Sequence, residues 1–538
     1  MNDERRTTND ERGLGTVWGI WHWLERRADI NPDKPALLDG ARSITYRQLA
    51  ARVAGAARYL ERYGLRKGDR IAILSINRAE YIETIFAAAW LGAIVVPLNW
   101  RLTPPELAFQ VQDSEPKMLV VDPSLVSLVD GLKAQPESAL IQTYFSFSDA
   151  DRDALPWAIP YDVLVFGLEA LPPGQGPEGD AEDPLLIMYT SGTTGRPKGA
   201  VLTQATQFWN SINIGTAIGL TDRDVTLNVL PMFHAGGIGL YTLPSIHHGA
   251  TAVIQRAFDP EQTVQLIAAH EVTAMLAVPA MYLALLQSKA FVDADLGGMR
   301  FASGGAPCPV TIIDAFERRG VLFQQGYGLT ETSPTCTLIP AADAFRKKGS
   351  VGKATLHAEL RVVDDAGQDV PPGGIGEVWT RGPNLFSGYW RRPAATAEVM
   401  VSDPAGESWF RTGDLARIDA EGFLYIVDRK TDMIISGGEN IYPAEVEDVL
   451  FRHPAVLEAA VFGIPDERWG EAAQAAVVVK PGQSLSLDEL RRFCDGQLAR
   501  YKIPKGLQIV DALPRNAAGK VLKRMLREQF GRHAVREH

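Results

Sequence analysis

Leu185-Leu186-Ile187-Met188-Tyr189-Thr190-Ser191-Gly192-Thr193-Thr194-Gly195-Arg196-Pro197-Lys198-Gly199 runs from an apolar, strand-like segment into a loop of hydroxyls, glycines and a lysine. Glycines let backbone N–H groups turn toward a ligand, hydroxyls add donors, and a lysine adds a mobile positive charge. Together these are means of holding a polyphosphate. The spacing is not that of a P-loop, because Gly199 follows Lys198 where Ser or Thr should supply a metal ligand. Pro197 also removes one backbone donor. The competing reading is a plain polar turn, since Gly, Ser and Thr cluster in ordinary loops.

Around this stretch lie 538 residues, enough for roughly three or four domain-sized units with large buried cores. A hydrophobic content of 46% and a charged content of 22% are ordinary globular values. The net charge of −11 argues against broad nucleic-acid binding, whose affinity comes from a basic face. It leaves room for a nucleotide, which needs only a local positive pocket. Cys308, Cys336 and Cys494 show no CxxC spacing and cannot all pair, which fits a reduced compartment and predicts a cytoplasmic location. Residues 1–15 are polar and charged, and predict a disordered tail in place of a signal peptide. The final residues Val535-Arg536-Glu537-His538 are not the Ser-Lys-Leu peroxisomal address. The longest apolar run, 85–98, contains Gly92 and Pro97 and is too short to span a bilayer. It predicts a buried helix leading into a buried strand, with no stable membrane insertion.

From 16 to about 300, β-rich runs at 70–74, 117–121, 225–230, 251–254 and 273–278 alternate with helical stretches such as 78–90 and 260–270. That alternation predicts βαβ units and parallel sheets covered by helices. Val17, Trp18, Ile20, Trp21 and Leu24 recur at helical spacing and predict core packing. A hairpin-rich texture, about 355–427, centres on the turn Asp364-Asp365-Ala366-Gly367. Beyond it, helical patterns at 444–451 and 487–500 and strand patterns at 459–463 and 475–479 predict a compact α+β unit. The expected fold is α/β. A large N-terminal domain (16–430) of α/β subdomains carries the β-rich section, and a small C-terminal domain (431–538) follows.

Four further segments carry polar groups that a fold alone does not require. Gly304-Gly305-Ala306-Pro307 suits close backbone approach to a flat ligand. Gly326-Tyr327-Gly328-Leu329-Thr330-Glu331 offers an aromatic face, a hydroxyl and a carboxylate. Arg411-Thr412-Gly413-Asp414 places a carboxylate in what reads as a turn, and Asn516-Ala517-Ala518-Gly519-Lys520 places a lysine on a loop. Singly, a loop Asp or Lys is more often a solvated charge.

Taken together and in this order, with 189–199, these motifs resemble the AMP-forming adenylating enzymes of the acyl-CoA synthetase superfamily. The resemblance covers about 16–526. It implies ATP, Mg2+ and CoA as ligands, a small-molecule carboxylic acid as substrate, and a C-terminal domain that moves between half-reactions. By resemblance, Thr190, Ser191, Gly192, Thr193, Thr194, Gly195 and Lys198 wrap the β- and γ-phosphates. Gly305, Ala306, Pro307, Gly326, Tyr327 and Gly328 line the adenine, with Tyr327 stacking on it. Thr330 bonds a phosphate oxygen, Glu331 holds Mg2+, Asp414 accepts the ribose hydroxyls, and Arg429 approaches the same sugar. Lys520 bridges the substrate carboxylate and the α-phosphate. Ser436, Gly437 and Gly438 line a pantetheine tunnel. Trp469 has two equal readings, CoA contact or core packing. The family's hinge usually carries Asp or Lys two residues after the arginine of its pattern, where this chain has Thr431.

His234, in Pro231-Met232-Phe233-His234-Ala235-Gly236-Gly237, matches a position bordering the acyl pocket, with Gly237, Met281, Gly304 and Thr335 as further walls. Small residues after His234 leave room for a medium- or long-chain fatty acid, or for an arylpropenoic acid. Loading of a separate carrier-protein thiol, luciferase-like oxygenation of the adenylate, and a degenerate nucleotide-binding protein are the rival functions. Retention of Lys198, Glu331, Asp414 and Lys520 argues against the last, because a pure binder does not need the transfer lysine. Nucleic acid is not an expected partner, and a homodimer is left open.

Overall fold

The apolar run 85–98 becomes what its composition predicts. The helix Ala79–Leu91 is buried on nearly all sides and ends at Gly92, whose φ of 63° is the left-handed cap a glycine adopts without strain. The strand Ile94–Leu98 follows, buried throughout. This is a computed structural model, and it describes residues 19–148, 154–162, 178–190, 196–403, 406–437, 439–466, 468–515 and 521–531. Among the described residues, no helix is long and apolar enough to cross a membrane.

The chain divides into two compact units. The first comprises Met1–Ala257, Thr330–Pro334 and Pro383–Pro393, and the second Phe258–Leu329, Thr335–Gly382 and Ala394–His538. In the first, Arg70–Leu74 lies between Ile94–Leu98 and Met118–Val121, all parallel. Pro184–Thr190 joins Ile94–Leu98 in parallel, and Lys198–Thr203 returns antiparallel beside it. A second parallel set in this unit is Val225–Asn228, Thr251–Ile254 and Pro35–Asp39. Strands buried on both faces need covering helices, which explains their near-continuous Val, Ile and Leu runs.

The second unit contains three textures. Ala274–Ala277, Arg300–Ser303 and Leu322–Tyr327 are parallel. Glu359–Val363, Ile375–Arg381, Ser408–Ile418 and Leu424–Arg429 form an antiparallel sheet, the expected hairpin-rich section. The last sheet pairs Val456–Asp466 with Gly470–Val479 and packs the helices Pro443–Phe451, Leu487–Cys494 and Lys523–Phe530.

Three local expectations change. The helix expected over 487–500 stops at Cys494, because Asp495 turns extended and Gly496 takes a φ of 78°. Asp414 lies inside the strand Ser408–Ile418, not in a turn. Gly413, at φ 74°, kinks that strand beside a register shift at Leu415/Ala416, so the turn-like composition marks a bend within a ladder. The first aromatic helix begins at Trp21, with Ile20 as its N-cap; Val17 and Trp18 lie outside the described residues, as does the expected 1–15 tail.

A buried ionic network ties the carboxyl ends of the first unit's strands together. Arg78 is fully buried, with Nε 2.8 Å from Glu80 Oε2, Nη1 3.0 Å from Asp122 Oδ2, and Nη2 donating to Ser148 O at 2.9 Å. Its guanidinium also sits 4.4 Å from the Phe147 ring centroid. Removing one member of such a network strands the opposite charge away from water. Arg78→Met is therefore expected to destabilise the protein by about 3–5 kcal/mol. Urea unfolding followed by fluorescence measures this, and an unchanged midpoint would show that the network contributes nothing.

Candidate active site

In the first unit, the loop quoted at the outset is closed by its own strands. Leu185, Leu186, Ile187 and Met188 are buried, which anchors Pro184–Thr190 in the sheet. Thr190 stands opposite Lys198 in the antiparallel register, and its Oγ1 donates to Lys198 O at 3.4 Å. Gly199 is required here, since a Cβ would come within 2.6 Å of Ile187. Ser191, Gly192, Thr193, Thr194 and Gly195 lie outside the described residues.

Thr330 and Glu331 open a single 3-10 turn, Thr330–Thr332, in the same unit. Glu331 is buried, and its Oε1 accepts a 2.8 Å hydrogen bond from the Tyr389 hydroxyl. The Lys198 ammonium lies 5.2 Å from the Tyr389 ring centroid. Three residues far apart in sequence thus form one cluster: a lysine, a phenol and a carboxylate. The sequence reading missed Tyr389. Its signal was weak, a glycine–aromatic pair in a two-residue strand, Gly388–Tyr389, that pairs with Lys198–Thr203. Among the described residues, no three His, Cys, Asp or Glu side chains group as a metal cage. A lone buried carboxylate beside hydroxyls does fit Mg2+, which keeps phosphate and water oxygens as its other ligands.

His234 precedes the short helix Ala235–Gly239, with its ring 4.5 Å from that of Phe233. Gly237 admits no side chain, because a Cβ would lie 2.1 Å from Pro231 O. Met281, Gly304 and Thr335, the other expected pocket walls, belong to the second unit.

There, Arg300–Ser303 and Leu322–Tyr327 are parallel neighbours, so Gly304 and Gly305 emerge next to Gly326, Tyr327 and Gly328 at their carboxyl ends. A Cβ on Gly304 would stand 3.5 Å from Gly326 O, and Gly305 takes a φ of 79°. Gly305, Ala306 and Pro307 are exposed. Carboxyl ends of parallel strands are where open α/β sheets bind ligands. The Tyr327 hydroxyl donates to Asp414 Oδ2 at 2.7 Å. Arg429 faces Asp414 across the ladder, with Nε 3.1 Å from Oδ1. Burial first, and then the Asp414 charge, hold the Tyr327 phenol well above its ordinary pKa, so it acts as a donor. Asp414 is buried and receives both contacts.

Farther along the second unit, Ser436 is buried at the end of Ile434–Ser436 and pairs with Gly470. Gly437, at φ 63°, donates its N–H to Trp469 O at 2.7 Å, and a Cβ there would reach within 2.8 Å of the indole. Trp469 is 38% exposed, with Lys505 Nζ 4.2 Å and the Arg468 guanidinium 4.7 Å from its ring. Core packing does not describe it. It is a partly exposed aromatic with two cations close to its ring. Gly438 lies outside the described residues.

Around Thr431, Asp428 Oδ2 accepts from Ala444 N at 2.9 Å, and Arg527 Nη2 lies 3.1 Å from Asp432 Oδ1. Lys520 lies outside the described residues, but the neck of its loop is closed: Arg515 pairs with Val521, and Leu522 N donates to Pro514 O at 2.8 Å.

The sequence matches the AMP-binding enzyme family over residues 24–390 and the AMP-binding enzyme C-terminal domain over 445–520. It is 40% identical over 514 residues to a feruloyl-CoA synthase of Amycolatopsis sp., covering 95% of this chain and 99% of that one. It is 38% identical over 510 residues to a long-chain-fatty-acid–CoA ligase of Mycobacterium tuberculosis, covering 94% and 97%. Among solved structures, O-succinylbenzoate coenzyme A synthetase from Bacillus subtilis, in complex with ATP and magnesium ion, superposes with a TM-score of 0.80 at 34% identity, covering 94% of this chain and 98% of that one. The large N-terminal and small C-terminal domains expected from the sequence are the architecture of these enzymes. The chain belongs to the AMP-binding enzyme family, and within it is an AMP-forming acyl-CoA synthetase, an acid–thiol ligase that adenylates a carboxylic acid with ATP and transfers it to CoA.

Proposed function

We propose that this ligase activates an arylpropenoic acid of the hydroxycinnamate kind, and that its chemistry is carried by the residues below. The acid rests on the feruloyl-CoA synthase, which aligns over 95% of the chain at 40% identity. A medium- or long-chain fatty acid is the second reading, favoured by the mycobacterial relative.

In the first half-reaction, the substrate carboxylate attacks the α-phosphorus of ATP and pyrophosphate leaves. Little covalent work falls to the protein, so positioning and charge stabilisation dominate. Thr190, Lys198 and the hydroxyl-rich 191–195 loop hold the leaving β- and γ-phosphates. Thr330 donates to a phosphate oxygen. Glu331 would hold Mg2+, which supplies charge neutralisation on the phosphates when bound. Tyr327 presents its face to adenine, and Asp414 accepts the ribose hydroxyls with Arg429 beside it. Lys520 offsets charge on the α-phosphate and the incoming carboxylate. What supports the ribose assignment is the buried Asp414 carboxylate, oriented by a phenol on one side and a guanidinium on the other.

In the second half-reaction, the CoA thiol attacks the acyl carbonyl and AMP leaves. Rotation about Thr431 exchanges the Lys520 loop for the 436–438 segment. There Gly437 keeps the backbone thin, and Trp469 with Lys505 and Arg468 offers an aromatic and cationic surface to the CoA nucleotide.

A panel of acids run with and without CoA, reading pyrophosphate release and acyl-CoA mass, tests the acid and the acceptor together. Formation of hydroxycinnamoyl-CoA is expected. Turnover of fatty acids alone would select the second reading, and adenylate persisting despite CoA would indicate a carrier-protein acceptor. Lys520→Ala is expected to raise the adenylation barrier by roughly 2–4 kcal/mol, the loss of one preorganised charge donor. A near wild-type rate of pyrophosphate exchange would sink that role. Asp414→Ala removes a charge-assisted acceptor and should weaken ATP binding by about 1.5–3 kcal/mol, read as a higher KM for ATP. An unchanged KM would remove Asp414 from the nucleotide site.

A further inference from the structure

Tyr389 touches two members of the proposed phosphate site and has no role in the scheme above. Its hydroxyl donates to Glu331 Oε1 at 2.8 Å, and its ring faces the Lys198 ammonium at 5.2 Å. Backbone contacts set both distances. Gly388 and Tyr389 pair with Val201 and Ala200, and Trp390 N donates to Gly199 O at 2.7 Å. On the other side, Phe386 N donates to the Glu331 carbonyl at 2.8 Å, and Asn384 Nδ2 donates to Thr332 O at 2.7 Å. Phe386 also braces the Tyr389 ring edge-on, centroid to centroid at 5.0 Å. The segment 384–390 is therefore held in register against both the lysine strand and the carboxylate turn.

We propose that Tyr389 is a positioning residue for the divalent cation that accompanies ATP: its phenol holds the Glu331 carboxylate in the orientation that takes the ion, and its ring gives the Lys198 ammonium a fixed seat. This rests on the reading of Glu331 as the metal ligand. A phenol suits the task because it orients a carboxylate without adding positive charge. An arginine or lysine in its place would compete with the cation for the same oxygens. Metal-binding carboxylates are commonly held by such outer partners, and losing one costs about 10–100-fold in metal affinity or activity. A cation within about 6 Å of a ring centroid is likewise held by the ring's negative face.

The test uses Mn2+ as the probe, with the non-reacting analogue α,β-methylene-ATP, and reads water-proton relaxation on the full-length protein. Tyr389→Phe keeps the ring and removes the hydroxyl; Glu331→Gln removes the charge of the ligand itself. In Tyr389→Phe the expected result is an unchanged melting temperature and an Mn2+ affinity weaker by about tenfold or more. The Mg2+ concentration for half-maximal pyrophosphate exchange should rise in parallel, with the KM for the acid unmoved. Wild-type Mn2+ affinity in Tyr389→Phe, with loss in Glu331→Gln, overturns the proposal and leaves the metal-ligand reading standing. Wild-type affinity in Glu331→Gln overturns that reading, and the proposal with it.

Discussion

A segment proposed to hold phosphate can be placed accurately only if its two ends are fixed. In this enzyme the antiparallel pairing of Thr190 with Lys198 fixes them. The buried run 185–188 anchors one strand, and tight packing of Gly199 on Ile187 locks the other. Lys198 therefore leaves the sheet at a defined point, and the strand Gly388–Tyr389 adds to the same ladder. On either side of 516–520 the Arg515–Val521 bridge and the hydrogen bond from Leu522 N to Pro514 O likewise join the chain. In both places a ladder or bridge fixes the two ends of a segment proposed to meet the ligand.

Charge is managed in a matching way at two places. Glu331 and Asp414 are both buried, and each accepts a hydrogen bond from a tyrosine hydroxyl, Tyr389 at 2.8 Å and Tyr327 at 2.7 Å. A phenol satisfies one carboxylate lone pair and fixes the rotamer while leaving the negative charge intact. That matters because both carboxylates are expected to meet something electropositive, a metal ion in one case and sugar hydroxyls in the other. In the Arg78 network the carboxylates of Glu80 and Asp122 instead share one fully buried guanidinium, whereas Asp414 meets the partly exposed Arg429.

Much of this was legible in the chain itself. The run 85–98 could only be a buried helix and strand, and the alternating textures required parallel sheets with helical cover. The 189–199 stretch, the glycines at 304–305 and the 327–331 segment, proposed to meet the nucleotide, were visible because hydroxyls, glycines and a carboxylate lie within a few residues of one another. Asp414 was found but misplaced. Its Arg-Thr-Gly context reads as a turn, whereas cross-strand pairing with Arg429 absorbs Gly413 as a kink in a long strand. Trp469 could not be classified, since an indole beside glycines has the same sequence signature in a core as on a surface.

Residue chemistry and short spacings thus determined the fold class and singled out the charged groups, because those depend on local composition, while the adenylating reaction followed from the resemblance of the ordered motifs to a known family. Tertiary structure alone decided which groups meet. Tyr389 lies 58 residues beyond Glu331 in the chain, and the ladder of Gly388–Tyr389 with Lys198–Thr203, together with the hydrogen bond from Phe386 N to Glu331 O, brings its hydroxyl to that carboxylate. A hydrogen bond of that kind leaves no periodicity and no motif. Its partners are selected by strand register, which is a property of the folded sheet and not of either segment by itself.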